Sequence, residues 1–124
     1  MPRKLLVVDD SRLARMTVIK LLALARPDWT VVEASNAEEA LTAVAAGRID
    51  GAVLDYHMPG ADGLTLAAEL KALRRDIHIA IVTANDQAGI VAQAAVIPAL
   101  FLPKPLRAAS FEVYLANVEA SKTA

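Results

Sequence analysis

Five side chains in this 124-residue sequence have the types and positions to do chemistry together: Asp9, Asp10, Asp55, Thr83 and Lys104. Each stands where an apolar run stops: "LLVV" before the aspartate pair, "AVL" before Asp55, "IAIV" before Thr83 and "LFLP" before Lys104. Adjacent aspartates repel each other unless something positive lies close by. Three carboxylates in one pocket therefore call for a cation, and hard oxygen ligands in an open, watery site favour Mg²⁺ over zinc. No Gly-rich loop follows the first run, which argues against a cradled nucleotide phosphate. What remains is a phosphoryl group meeting a carboxylate, with Mg²⁺ and Lys104 neutralising its oxygens and Thr83 donating a hydrogen bond.

These residues act together only if the fold gathers them. The apolar runs Leu5–Val8, Thr30–Val32, Ala52–Leu54, Ile77–Val82 and Leu100–Leu102 read as strands, most of them apolar throughout, as in a parallel sheet buried on both faces. Helical spacing fills the intervals. The first helix carries Leu13, Met16, Thr17, Leu21 and Leu24 and closes at Arg26-Pro27-Asp28. The second opens with a capping box at Ser35-Asn36-Ala37-Glu38 and ends at Gly47. The third follows Asp62-Gly63, read as a structural turn and cap, with Leu64, Ala67, Ala68 and Leu70. The fourth follows Asn85-Asp86 with Ile90, Val91, Ala94 and Ala95; the fifth starts near Arg107 and presents Phe111, Tyr114, Leu115 and Val118. Five alternations of strand and helix imply right-handed crossovers and a doubly wound α/β fold. Ligands of such sheets bind at the carboxyl ends of the strands, where all five side chains fall.

The bulk composition bounds the alternatives. Hydrophobic residues are 56 % and charged residues 22 % of the chain, as in one globular domain spanning 1–124 with a frayed tail from about 120. Lys+Arg 13 against Asp+Glu 14 offers no electrostatic case for nucleic acid. There is no cysteine for a disulfide, thiolate metal site or nucleophile, and no apolar run approaches the roughly 20 residues of a membrane span. The expectation is a soluble cytoplasmic domain.

The motifs "VVDD" (7–10), "VLDYHMPGADG" (53–63), "VTAN" (82–85) and "FLPKP" (101–105) stand in order at the strand ends. Through them the chain resembles the receiver domain of bacterial two-component response regulators over nearly its whole length. The resemblance implies the flavodoxin-like, CheY-like (βα)5 fold with strand order 2-1-3-4-5. It implies Asp55 as phosphoacceptor, taking a phosphoryl group from a histidine kinase or histidine phosphotransfer protein. Asp9, Asp10, Asp55 and the backbone carbonyl of His57 would hold Mg²⁺, Asp9 mainly through water. Lys104, Thr83 and Ala84 would meet the phosphoryl group, Phe101 would turn inward as Thr83 moves, and the Lys104–Pro105 bond would be cis. The fourth helix, fifth strand and fifth helix would form the face for a downstream protein or a second copy. The lack of charge from Gln87 to Pro103 agrees with such a covered face.

Blander readings stand beside these. Asp10 or Ser11 caps the first helix, with or without metal ligation. His57 and His78 lie too far apart in the chain to suggest a shared metal, and Trp29 reads as packing near the second strand. The competing functions are a Mg²⁺-dependent phosphohydrolase working through an aspartyl phosphate and a flavin-binding module. The first wants a second acid two residues after the nucleophile, where His57 stands; the second is opposed by the acidic loop after the first strand.

Overall fold

The computed structural model describes residues 3–58, 61–83 and 99–120, with the backbone alone for Met58 and Ala61. Five parallel strands form the sheet: β1 (Lys4–Val8), β2 (Thr30–Ala34), β3 (Gly51–Asp55), β4 (His78–Thr83) and β5 (Ala99–Pro103). Their spatial order is β2-β1-β3-β4-β5, with β1 and β3 adjacent at the point where the order reverses. Four helices are described: α1 (Arg12–Ala25), α2 (Ala37–Ala46), α3 (Gly63–Leu73) and α4 (Ala108–Ala120). The helix expected after Asp86 (Ile90, Val91, Ala94 and Ala95 among its residues) and the tail beyond Ala120 lie outside the described residues, so α4 is the fifth helix of the sequence reading. A short antiparallel ribbon pairs His57 with Asp62 between β3 and α3.

Strand alternation divides the core in two. Leu6, Val8, Ala52, Leu54, Ile79 and Ile81 face α2 and α3, while Leu5, Val7, Val53, Ala80, Val82 and Leu102 face α1 and α4. Both sides of the central strands are buried, which is why their sequences are apolar without interruption. α4 buries Phe111, Tyr114, Leu115 and Val118, the four expected positions. The buried Tyr114 hydroxyl donates to the carbonyls of Ala52 (3.3 Å) and His78 (2.7 Å), pinning this helix to the start of β3 and β4. Trp29 is buried with the guanidinium carbons of Arg3 and Arg26 each 5.9 Å from its ring, so it packs as expected.

Three local expectations are corrected. On α1, Leu13, Met16 and Leu24 are exposed, and the helix faces the sheet through Val18, Ile19, Leu21, Leu22 and Ala25. On α3, Ala68 is exposed and Leu66 is buried. The capping box of α2 sits one residue later than read: Asn36 is the N-cap, accepting from the Glu39 N–H at 2.8 Å, and Glu39 reaches back to the Ser35 N–H at 2.7 Å. Asn caps as well as Ser does, and this register puts Glu39 rather than Glu38 at the third helical position.

Candidate functional site

The carboxyl ends of β1 and β3 lie side by side; Asp9 follows the last residue of β1, and Asp55 ends β3. Among the described residues, the buried polar or charged side chains other than Tyr114, whose hydroxyl is bonded elsewhere, are Asp9, Asp55 and Thr83, and all three belong to the site read from the sequence. Groups of this kind stay buried only when something in the site compensates them. Part of the compensation is visible. The Ser11 N–H donates to Asp9 Oδ1 at 2.9 Å, and Ser11 Oγ caps α1 by accepting from the Ala14 N–H at 3.2 Å. Lys104 follows β5 directly, its N–H donating to the Thr83 carbonyl at 3.0 Å. Its ammonium stands 2.8 Å from Asp55 Oδ1 as an ion pair. The Lys104–Pro105 bond is cis.

Carboxylate oxygens of Asp9, Asp10 and Asp55 all lie within 4.8 Å of one another. Burial raises the pKa of Asp9, the Ser11 N–H pulls it back, and the charge of Asp55 raises it further. Among the described residues, Asp55 Oδ1 is buried with no hydrogen-bond donor in bonding geometry, and the Lys104 ammonium is its ion-pair partner. The donor set is all hard oxygen, one member is exposed (Asp10) and two are buried. These residues fit Mg²⁺: a divalent ion would relieve the crowding and occupy acceptor capacity that the described residues leave unused. Beside them a crevice of about 410 Å³ runs between β1, α1 and the segment after Lys104, lined by Val7, Ala14, Val18 and Leu106 among others.

The remaining predicted positions sort out by location. The His57 ring is exposed and stands edge-on to Tyr56 at 4.7 Å, while His78 lies at the opposite end of the sheet, so no pair of imidazoles forms. Asp62 caps α3, its carboxylate accepting from the Thr65 N–H at 2.7 Å. A Cβ on Gly63 would stand 2.9 Å from the Asp55 carbonyl oxygen, so glycine lets α3 start directly against the backbone of Asp55. Phe101 is half-buried against the cluster on the α2–α3 side. Ala84 and Asn85 lie outside the described residues.

One contributor escaped the sequence reading. Arg15 folds back from the first turn of α1, donating from Nη1 to the Asp9 carbonyl at 2.7 Å and from Nε to Glu33 Oε1 at 2.9 Å. Its only signal in the sequence was a cation one turn beyond the aspartate pair.

Comparison with known proteins agrees with this geometry. Residues 5–115 match the family model for the response regulator receiver domain. The response regulator MprA of Mycolicibacterium vanbaalenii is 35 % identical over 125 residues, covering 97 % of this chain and 50 % of the relative. The cyclic di-GMP phosphodiesterase response regulator RpfG of Xanthomonas campestris is 34 % identical, with 92 % of this chain and 31 % of that protein covered. The chain thus spans about half, or less, of the length of these relatives. Among solved structures, the receiver domain of the putative response regulator NarL from Mycobacterium tuberculosis superposes with a TM-score of 0.81 at 32 % identity, covering 99 % of this chain and 98 % of that one. A receiver domain protein from Methanospirillum hungatei superposes with a TM-score of 0.88 at 19 % identity, covering 98 % and 97 % of the two chains, a likeness of fold.

Proposed function

The chain belongs to the response regulator receiver domain family, and from that premise we propose that it is a phosphorylation-dependent signalling switch whose phosphoacceptor is Asp55. The donor is a phosphohistidine on a sensor histidine kinase or histidine phosphotransfer protein. A carboxylate oxygen of Asp55 attacks the phosphorus, the P–N bond breaks, and the imidazole leaves with its electron pair. Lys104, 2.8 Å from Asp55 before transfer, moves its charge onto the phosphoryl oxygens as they arrive. Thr83, buried at the end of the neighbouring strand, hydrogen-bonds the same group together with the backbone at Ala84. Asp9, Asp10, Asp55 and the His57 carbonyl would hold Mg²⁺, which would supply neutralisation of the charge that builds up in transfer.

The observation that carries this reading is the meeting of Asp55 with Lys104 inside a cluster of three carboxylates at the switch point of the sheet. The output is a docking face formed by the helix expected after Asp86, β5 and α4 for a downstream protein or a second copy, altered when Phe101 repacks. Incubation with acetyl phosphate and Mg²⁺ followed by intact mass is the test. One added phosphoryl group is expected, and none on Asp55→Asn. Equal labelling of the variant would falsify the assignment.

A further inference from the structure

We propose that Arg15 is a positioning residue for the acidic pair: it fixes the peptide between Asp9 and Asp10, and through it the direction of both carboxylates. The inference rests on the reading of these aspartates as Mg²⁺ ligands. Asp9 is gripped at both ends of its backbone. Its N–H donates to the Ala34 carbonyl of β2 at 3.1 Å, and its carbonyl accepts from Arg15 Nη1 at 2.7 Å. The guanidinium is anchored by Glu33, the neighbour of Ala34, through Nε at 2.9 Å. A closed ring therefore runs from the end of β2, through Glu33 and Arg15, to the Asp9 carbonyl, and back through the Asp9 N–H.

The Asp9 carbonyl lies in the same rigid peptide plane as the Asp10 nitrogen, so holding that oxygen sets where the Asp10 side chain departs. The Arg15 side chain is only 14 % exposed, whereas Glu33 is 48 % exposed. The largely covered guanidinium thus serves the backbone at the site, and the carboxylate serves the guanidinium. A planar fork with donors on two edges can bridge a carbonyl and a carboxylate at once, which a lysine ammonium on a flexible stem cannot do in the same geometry.

Charge and positioning predict opposite signs. Removing a cation beside an acidic site strengthens Mg²⁺ binding by electrostatics alone. Loss of a positioning contact weakens it, and partners of metal ligands typically contribute about tenfold in affinity. Calorimetric titration of the full chain with MgCl₂ separates the two. We expect Arg15→Met to bind Mg²⁺ about tenfold more weakly despite its lost positive charge. Arg15→Lys, which keeps the charge and loses the fork, should also bind more weakly than the wild type. Unchanged or tighter binding in Arg15→Lys would overturn the proposal, whether or not Arg15→Met folds. A second readout needs no metal: amide exchange at Ser11, whose N–H is held by Asp9 Oδ1, should quicken in Arg15→Lys in Mg²⁺-free buffer. Unchanged exchange would also overturn the proposal. If the wild type binds no Mg²⁺ while Ser11 exchange still quickens, the metal reading fails and the positioning of Asp9 stands.

Discussion

At Gly51 there is room for a hydrogen and little more. A Cβ there would run into the Tyr114 hydroxyl and stand 3.0 Å from Leu5 Cδ1. Gly51→Ala should therefore unseat the hydroxyl that pins α4, while Tyr114→Phe should cost about 1–3 kcal/mol by withdrawing a donor from buried carbonyls. The double variant should be more stable than the sum of the two predicts, since phenylalanine vacates the space the methyl needs. Additive losses in urea unfolding would refute the coupling. Nothing in the sequence linked residues 51 and 114, because a contact made by one hydroxyl across a sheet has no period. His78 carries a second consequence at this scale. Burial first, then the charge of Lys71, hold its pKa below the ordinary 6.5, with Asp76 opposing. The unfolded chain thus takes up the proton at a higher pH than the folded one, and stability falls as pH drops through 6.5 toward the folded value. His78→Gln should flatten the stability curve as pH falls through 6.5; an unchanged slope in denaturant titrations would count against it.

Elements were legible where one face is apolar and illegible where several are. In α4 the positions Phe111, Tyr114, Leu115 and Val118 form the one large apolar stripe, and the structure buries all four. α1 carries large apolar residues on two sides, one of them interleaved with Arg12, Thr17 and Lys20, so two stripes compete. Leu13, Met16 and Leu24 have the larger side chains, yet they face solvent, and Val18, Leu21, Leu22 and Ala25 meet the sheet. Long-range polar contacts decide how that helix sits. The Arg26 guanidinium at its end binds Glu112 through two contacts of 3.0 and 2.7 Å and Glu119 through two of 2.8 and 2.9 Å, both on α4. Those partners lie 86 and 93 residues away, beyond any local pattern. Arg26→Lys keeps the charge and loses the double fork. Its thermal midpoint should fall by a few degrees, with the gap narrowing in high salt as screening removes the electrostatic part. A gap that persists at full size in salt would assign the effect to packing on Trp29 instead.

For the molecule as a whole, the alternation of strands and helices was enough to predict the α/β architecture, and the resemblance supplied the strand order that the structure shows. The site was legible for the same reason: parallel strands deliver their carboxyl ends to one edge, so residues that end apolar runs must meet there. The reach of Arg15 was not legible, since it depends on side-chain geometry rather than on strand order. This arrangement places a local charge conflict at the carboxyl edge of the sheet. Asp9 directly follows β1, Asp55 ends the neighbouring strand β3, and the pKa of Asp9 is raised by burial and by Asp55. A ligand that binds only the folded pocket stabilises the whole sheet by mass action, by about 1.4 kcal/mol at a concentration ten times its Kd. Mg²⁺ at millimolar levels should therefore raise the thermal midpoint, and a chelator should reverse the rise. Asp10 is exposed, so Asp10→Asn leaves the core intact while withdrawing one of three charges. In Mg²⁺-free buffer this variant should melt at or above the wild type, because a repulsion is gone, and its response to Mg²⁺ should shrink. If Mg²⁺ moves neither midpoint, the three carboxylates are not a metal site; if it moves both equally, Asp10 is not one of the ligands.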